Sequence, residues 1–168
     1  MKITCDVEVS GNDVWLEGPV WVEGNIEFTG NSAINIDPSL GEKSVAIIAD
    51  KQSDRESSSR IQISNNLEFN GSGEDSSYIL LISQNNSAEN GGGTDAIKLQ
   101  NNAEGDLLLY AGHGSITIDN NTDLTEVTAY RIHIQNNATV RYESGLADLV
   151  FSTGPSGGYS LKSLEEIQ

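Results

Sequence analysis

The sequence predicts an all-β fold in which short parallel strands coil into a β-solenoid, one domain spanning residues 1–168. Three observations predict it. β-Forming residues alternate with polar ones over runs of about five, the strand period of two rather than the helical 3.6. Each run closes on Asn-Asn or Gly-Asn, residues that tolerate positive φ and turn the chain. The runs also recur: Ile97, Ile116 and Ile132 each open one, at intervals of 19 and 16 residues. A strand and corner repeated at that period cannot bury its apolar face alone, whereas stacked coils pile aliphatic side chains into continuous ladders. With 36% hydrophobic but only 6% aromatic residues, the core must be built from such aliphatic stacks.

The elements follow in order. Val7-Glu-Val9-Ser ends at Gly11-Asn12, Val20-Trp-Val22-Glu at Gly24-Asn25, and Ile26-Glu-Phe28-Thr at Gly30-Asn31. Inward Val14, Leu16, Val20 and Val22 turn Trp15 and Trp21 outward by alternation. Ile61-Gln-Ile63-Ser ends at Asn65-Asn66 and Ile97-Lys-Leu99-Gln at Asn101-Asn102. The 36 residues from Ile61 to Ile97 read as about two periods, with Tyr78-Ile79-Leu80-Leu81-Ile82 as the strand between them. Ile116-Thr-Ile118-Asp and Ile132-His-Ile134-Gln close on Asn120-Asn121 and Asn136-Asn137. Asn residues at equivalent corners are expected to stack, each amide bonding the next.

Residues 38–60, 70–77 and 85–95 break the period and read as excursions. The first carries an apolar run, Val45-Ala46-Ile47-Ile48, then a very polar stretch over 50–60 that reads as a mobile loop. Loops carry function more often than scaffolds, so partners are expected there. Coils are expected over 7–160. Gly154-Pro155-Ser156-Gly157-Gly158 ends the strands, and the capping-box spacing of Ser163 and Glu166 suggests a short terminal cap or tail over 161–168.

The coil pattern resembles right-handed parallel β-helices. Glu126-Val127-Thr128-Ala129-Tyr130-Arg131-Ile132-His133-Ile134-Gln135-Asn136-Asn137, with Tyr142-Glu143-Ser144-Gly145-Leu146-Ala147 and Phe151-Ser152-Thr153-Gly154-Pro155 after it, is similar to the ectodomains of bacterial type IV pilus-associated, minor-pilin-like surface proteins. In those, one hydrophobic N-terminal helix precedes a β-solenoid rich in Asn-Asn corners. The resemblance implies a single-stranded right-handed parallel β-helix with loop excursions and a short C-terminal cap. It also implies a non-catalytic structural or adhesive module, extracellular or at the cell surface, on a bacterial surface or pilus. Surface or pilus proteins or glycans are the partners it suggests. No catalytic residue is carried over with it.

Charge narrows the partners further. At net −16, the chain repels phosphate backbones and anionic lipid, so nucleic acid and membrane contact are excluded as expectations. No stretch is long and apolar enough to span a bilayer, and the opening MKITCDVEV has no signal-type apolar core. Cys5 is the only cysteine, which removes an intrachain disulfide and every multi-cysteine metal site.

The alternative function is a carbohydrate-binding module or a polysaccharide-active β-helix enzyme. Such enzymes gather carboxylates and basic residues on one face of neighbouring coils. Lys98 is the only Lys or Arg between Arg60 and Arg131, which argues against a uronate site, so no catalytic residue and no cofactor is assigned. His113, placed in an Ala-Gly-His-Gly turn, and His133, pointing outward, read as surface histidines. Asp119, Asn121 and Asp123 match the first half of a calcium loop, with Leu124 where Gly is needed and Tyr130 where the bidentate Glu belongs. They are the weak metal candidates beside the ordinary reading of an Asn corner. Trp15 and Trp21 are the candidates for ligand or partner contact, because an outward indole stacks on a sugar ring or anchors a protein.

Overall fold

The computed structural model describes residues 1–120, 122–140 and 150–151. Among these the chain is almost entirely strand, with no α-helix and one 3-10 turn at Pro38–Leu40. Every strand pairing is parallel. The strands form a parallel sheet that is nearly closed on itself, a solenoid-like body.

Six successive turns of chain each contribute strands to three faces. Turn one carries β1 (Lys2–Ile3), β2 (Val7–Ser10) and β3 (Val14–Leu16). Turn two carries β4 (Val20–Val22), β5 (Ile26–Thr29) and β6 (Ala33–Ile36). Turn three has β7 (Lys43–Ala49), β8 (Ile61–Ser64) and β9 (Glu68–Asn70). Turn four has β10 (Ile79–Ser83), β11 (Asp95–Gln100) and β12 (Glu104–Gly105). In turn five, β13 (Leu107–Ile118) crosses the first two faces and β14 (Asp123–Leu124) follows. Turn six repeats this with β15 (Glu126–Ile134) and β16 (Thr139–Val140). Last, β17 (Val150–Phe151) pairs with Lys43 and Ser44 at the start of β7. The cap expected at 161–168, and the coils expected over 141–149 and 152–160, lie outside the described residues.

The alternation expected from sequence becomes unbroken ladders on the second face. Val7, Ile26, Ile61, Ile97, Ile116 and Ile132 stand in register, as do Val9, Phe28, Ile63, Leu99, Ile118 and Ile134. On the first face Val20, Ile47, Leu81, Leu109 and Val127 do the same. From Ile26 to Ile118 the second-face members are buried. Phe28 and Phe69 meet edge-to-face in this core, ring centroids 5.8 Å apart, the favoured aromatic geometry.

Corners follow the chemistry of the motif. The residue that closes each second-face strand is left-handed in all six turns: Gly11, Gly30, Asn65, Asn101, Asn120 and Asn136, with φ between 47° and 88°. Gly24, expected to be another copy, is not left-handed; it lies at the first corner, where a side chain would strike Asp6. Val20-Trp-Val22 and Ile26-Glu-Phe28 are therefore neighbouring faces of one turn rather than two copies of one face. The spacing is corrected in the same way. Ile61 and Ile97 pair directly, so their 36 residues make one turn, lengthened by two excursions, and not two.

The excursion over 50–60 is a bonded element rather than the expected mobile loop. Asp50, buried, takes two bonds from Arg55 at 2.8 and 2.9 Å. The loop over 84–94 packs on it: Asn85, fully buried, donates to the carbonyls of Glu56 and Ser58, and the Ser83 hydroxyl donates to that of Ser59 at 2.6 Å. Each loop satisfies backbone groups that the other leaves open.

Candidate functional site: the tryptophans and the first-turn recess

Polar side chains in this molecule mostly hold one turn to the next. The amide of Asn66 donates to Asn31 at 3.4 Å and that of Asn102 to Asn66 at 2.9 Å. Asn120 donates to Asn101, and Asn70 to Asn35 on the third face. The stacked amides expected at the corners are present. Carboxylates serve the same end: Asp6 accepts the Asn25 N–H at 2.7 Å, Asp13 that of Ala33 and Asp106 that of Gly71. Asp37 caps the 3-10 turn, and bonds from the Ser39 hydroxyl and then the Ser39 N–H hold its carboxyl below the ordinary value. Asp50 raises the Arg55 guanidinium above its ordinary value, chiefly through their hydrogen bonds.

Asp119 belongs to this class. Its carboxylate accepts the Asn120 N–H at 2.9 Å and the Asn136 amide at 2.6 Å, binding turn five to turn six. Asn121 and the side chain of Asp123 lie outside the described residues. No group of three His, Cys, Asp or Glu side chains among the described residues is arranged to hold a metal ion.

Both indoles point outward as alternation requires, but the structure does not bring them together. Trp15 stands on the third face, in register with Asn35, and is 58% exposed. Trp21 stands on the first face between Lys2 and Ile48, half-buried, its indole N–H without a partner. Its register continues through Ile82 to Tyr110, so four turns of the first face carry a largely apolar outer stripe. That stripe was not anticipated. Its signal is the pair of uninterrupted apolar runs, Val45-Ala46-Ile47-Ile48 and Ile79-Leu80-Leu81-Ile82, which mark strands apolar on both faces.

Trp15 also borders a recess at the first turn. Ile3, Val7, Val9 and Val14 are only partly buried there, and with Pro19, Val20 and Phe28 they line a recess of about 450 Å³. The recess is apolar, with Glu17 and Trp15 at its rim. It can take an aliphatic or aromatic group.

The histidines fall apart from this recess. His113 lies within β13, where the register shifts between Ala111 and Ser115, rather than in the expected turn, and its Nδ1 is 2.8 Å from Glu89. His133 is exposed, as expected, and Cys5 is an exposed free thiol. Compared with protein-family models, curated proteins and solved structures, the chain matches none.

Proposed function

We propose that this chain is a single-stranded right-handed parallel β-helix that serves as a non-catalytic structural or adhesive module outside the cell, on a bacterial surface or pilus. The observation that carries the structural part is the set of Asn amides and Asp carboxylates bonded from one turn to the next, which supports reading the chain as a self-supporting scaffold. Right-handedness is supported by the general chirality of parallel crossovers, which follows from strand twist. Display outside the cell rests on the sequence resemblance, and a surface at net −16 suits a module that must stay soluble there.

Protease treatment of intact source cells tests the reading. Peptides of this chain should appear in the released fraction while a cytoplasmic marker stays inside; release only after lysis would remove the surface assignment.

A second reading, a carbohydrate-binding module, is favoured by the exposure of Trp15 beside the apolar recess. Glycan-array binding lost in Trp15→Ala and kept in Trp21→Ala would support it, because the two indoles lie on different faces. An array without signal would end it.

A further inference from the structure

The chain holds two Asn-Gly pairs, Asn70-Gly71 and Asn90-Gly91. Such a pair can react with itself, the glycine nitrogen attacking the asparagine side-chain carbonyl, because no Cβ obstructs the approach. The reacting atoms must come within about 3 to 3.5 Å in the right alignment, so a pair whose groups are held elsewhere is slow. We infer that Asn90 is a site of spontaneous deamidation to isoaspartate and aspartate, and that the fold protects Asn70 from the same reaction.

The two pairs differ in each restraint that bears on this step. Asn70 ends the extended strand β9, and its side-chain amide donates to Asn35 on the preceding turn at 3.1 Å. The Gly71 N–H donates to the Asp106 carboxylate at 3.0 Å. That bond holds the nitrogen, and the negative charge beside it disfavours loss of the proton, which is what makes the nitrogen nucleophilic. Gly71 also lies against the Ser77 carbonyl, which a Cβ would strike, so its peptide unit has little room to swing.

Asn90 and Gly91 are both exposed, in the turn of the 84–94 loop. Among the described residues the Asn90 side chain makes no hydrogen bond. Gly91 has a φ of 80° and nothing within 4 Å of where a Cβ would stand. Its N–H makes one 3.2 Å bond, to the neutral carbonyl of Ala88. The buried anchors of the loop, Asn85 and Ser87, precede the reacting pair and take no part in it.

In the reaction the Gly91 nitrogen loses its proton to water and bonds to Cγ of Asn90. The Cγ–Nδ2 bond then breaks, and the amide leaves as ammonia with a proton taken back from water. One water adds to the resulting cyclic imide. Opening at Cγ yields aspartate; opening at the main-chain carbonyl yields isoaspartate, whose backbone runs through the former side chain. One water is consumed, one ammonia is released, and nothing is oxidised or reduced. Either product sets a carboxylate beside Glu89, one negative charge beyond the −16 of the fresh chain.

Trypsin cuts after Arg60 and Lys98 with no Lys or Arg between them, so both pairs fall in the single peptide 61–98 and report on each other. The folded chain is held in mildly alkaline buffer for weeks and then digested, and electron-transfer fragmentation locates the change and separates isoaspartate from aspartate. Product should accumulate at 90 about tenfold or more faster than at 70, the factor expected from giving up one hydrogen bond to a charged group. In concentrated urea the two positions should react at similar rates. Asp106→Ala, with circular dichroism unchanged, should speed position 70 and leave 90 as it was; a folded variant in which 70 stays slow would overturn the protection. Equal rates in the folded chain, or a faster rate at 70, would overturn the inference. So would a preference for 90 that persists undiminished in urea, which would place its cause in the neighbouring residues rather than in the fold.

Discussion

Asn65 shows what one corner residue contributes. Its φ of 72° lies in the left-handed region, where a Cβ without a local hydrogen-bonding group is disfavoured. Turns one and two place Gly11 and Gly30 at the equivalent position. Asn65→Ala should therefore cost about 1 kcal/mol in urea unfolding, whereas Asn65→Gly should leave the midpoint nearly unchanged. Asn66 acts differently, through its amide: it donates to Asn31 and accepts from Asn102. Asp37 gives the pH signature. Its carboxyl is held below 3.8 by Ser39, so the capping contribution is present above the ordinary carboxyl value and is lost as pH falls through the lowered one. A carboxyl titration followed by NMR should show Asp37 protonating below the ordinary aspartate value.

At the scale of elements, the two excursions over 50–60 and 84–94 form one unit joined by buried polar bonds. Arg55→Ala leaves the buried Asp50 carboxylate without its partner. With Arg55 itself 38% exposed, water partly replaces it, and the expected cost is about 2 kcal/mol, below that of a fully buried pair. The check is the unfolding midpoint, together with faster hydrogen exchange at the N–H groups of Lys51, Asn85 and Asn86. The alternating strands were legible in the sequence because each second-face strand repeats the same pattern. The loop architecture was not, because Asp50, Ser59 and Asn85 sit in stretches as polar as any solvated loop. Ser59 and Asn85 are engaged across 24 to 29 residues of chain, and Asp50 by Arg55 within its own loop.

The whole molecule behaves as a stack in which each turn leans on its neighbours. Ile97→Ala in the middle of the ladder should cost about 2 to 5 kcal/mol, while Ile132→Ala at the last described turn should cost under about 1 kcal/mol. Denaturant unfolding of both variants checks this. Hydrogen exchange should rank the turns the same way, with the strongest protection in β8 and β11 and the weakest in β1 and β15.

An all-β chain, strands that alternate inside and outside, and corners turned by Asn or Gly were all readable from the residues alone. Each of those is a local property, written in period-two spacing and in which residues accept positive φ. Which strands share a face, that 36 residues can make a single turn, and that Trp15 and Trp21 lie on different faces emerge only in the folded chain. These depend on register between segments far apart in the chain. A loop of any length can close between two strands that pair, so spacing along the sequence does not count turns.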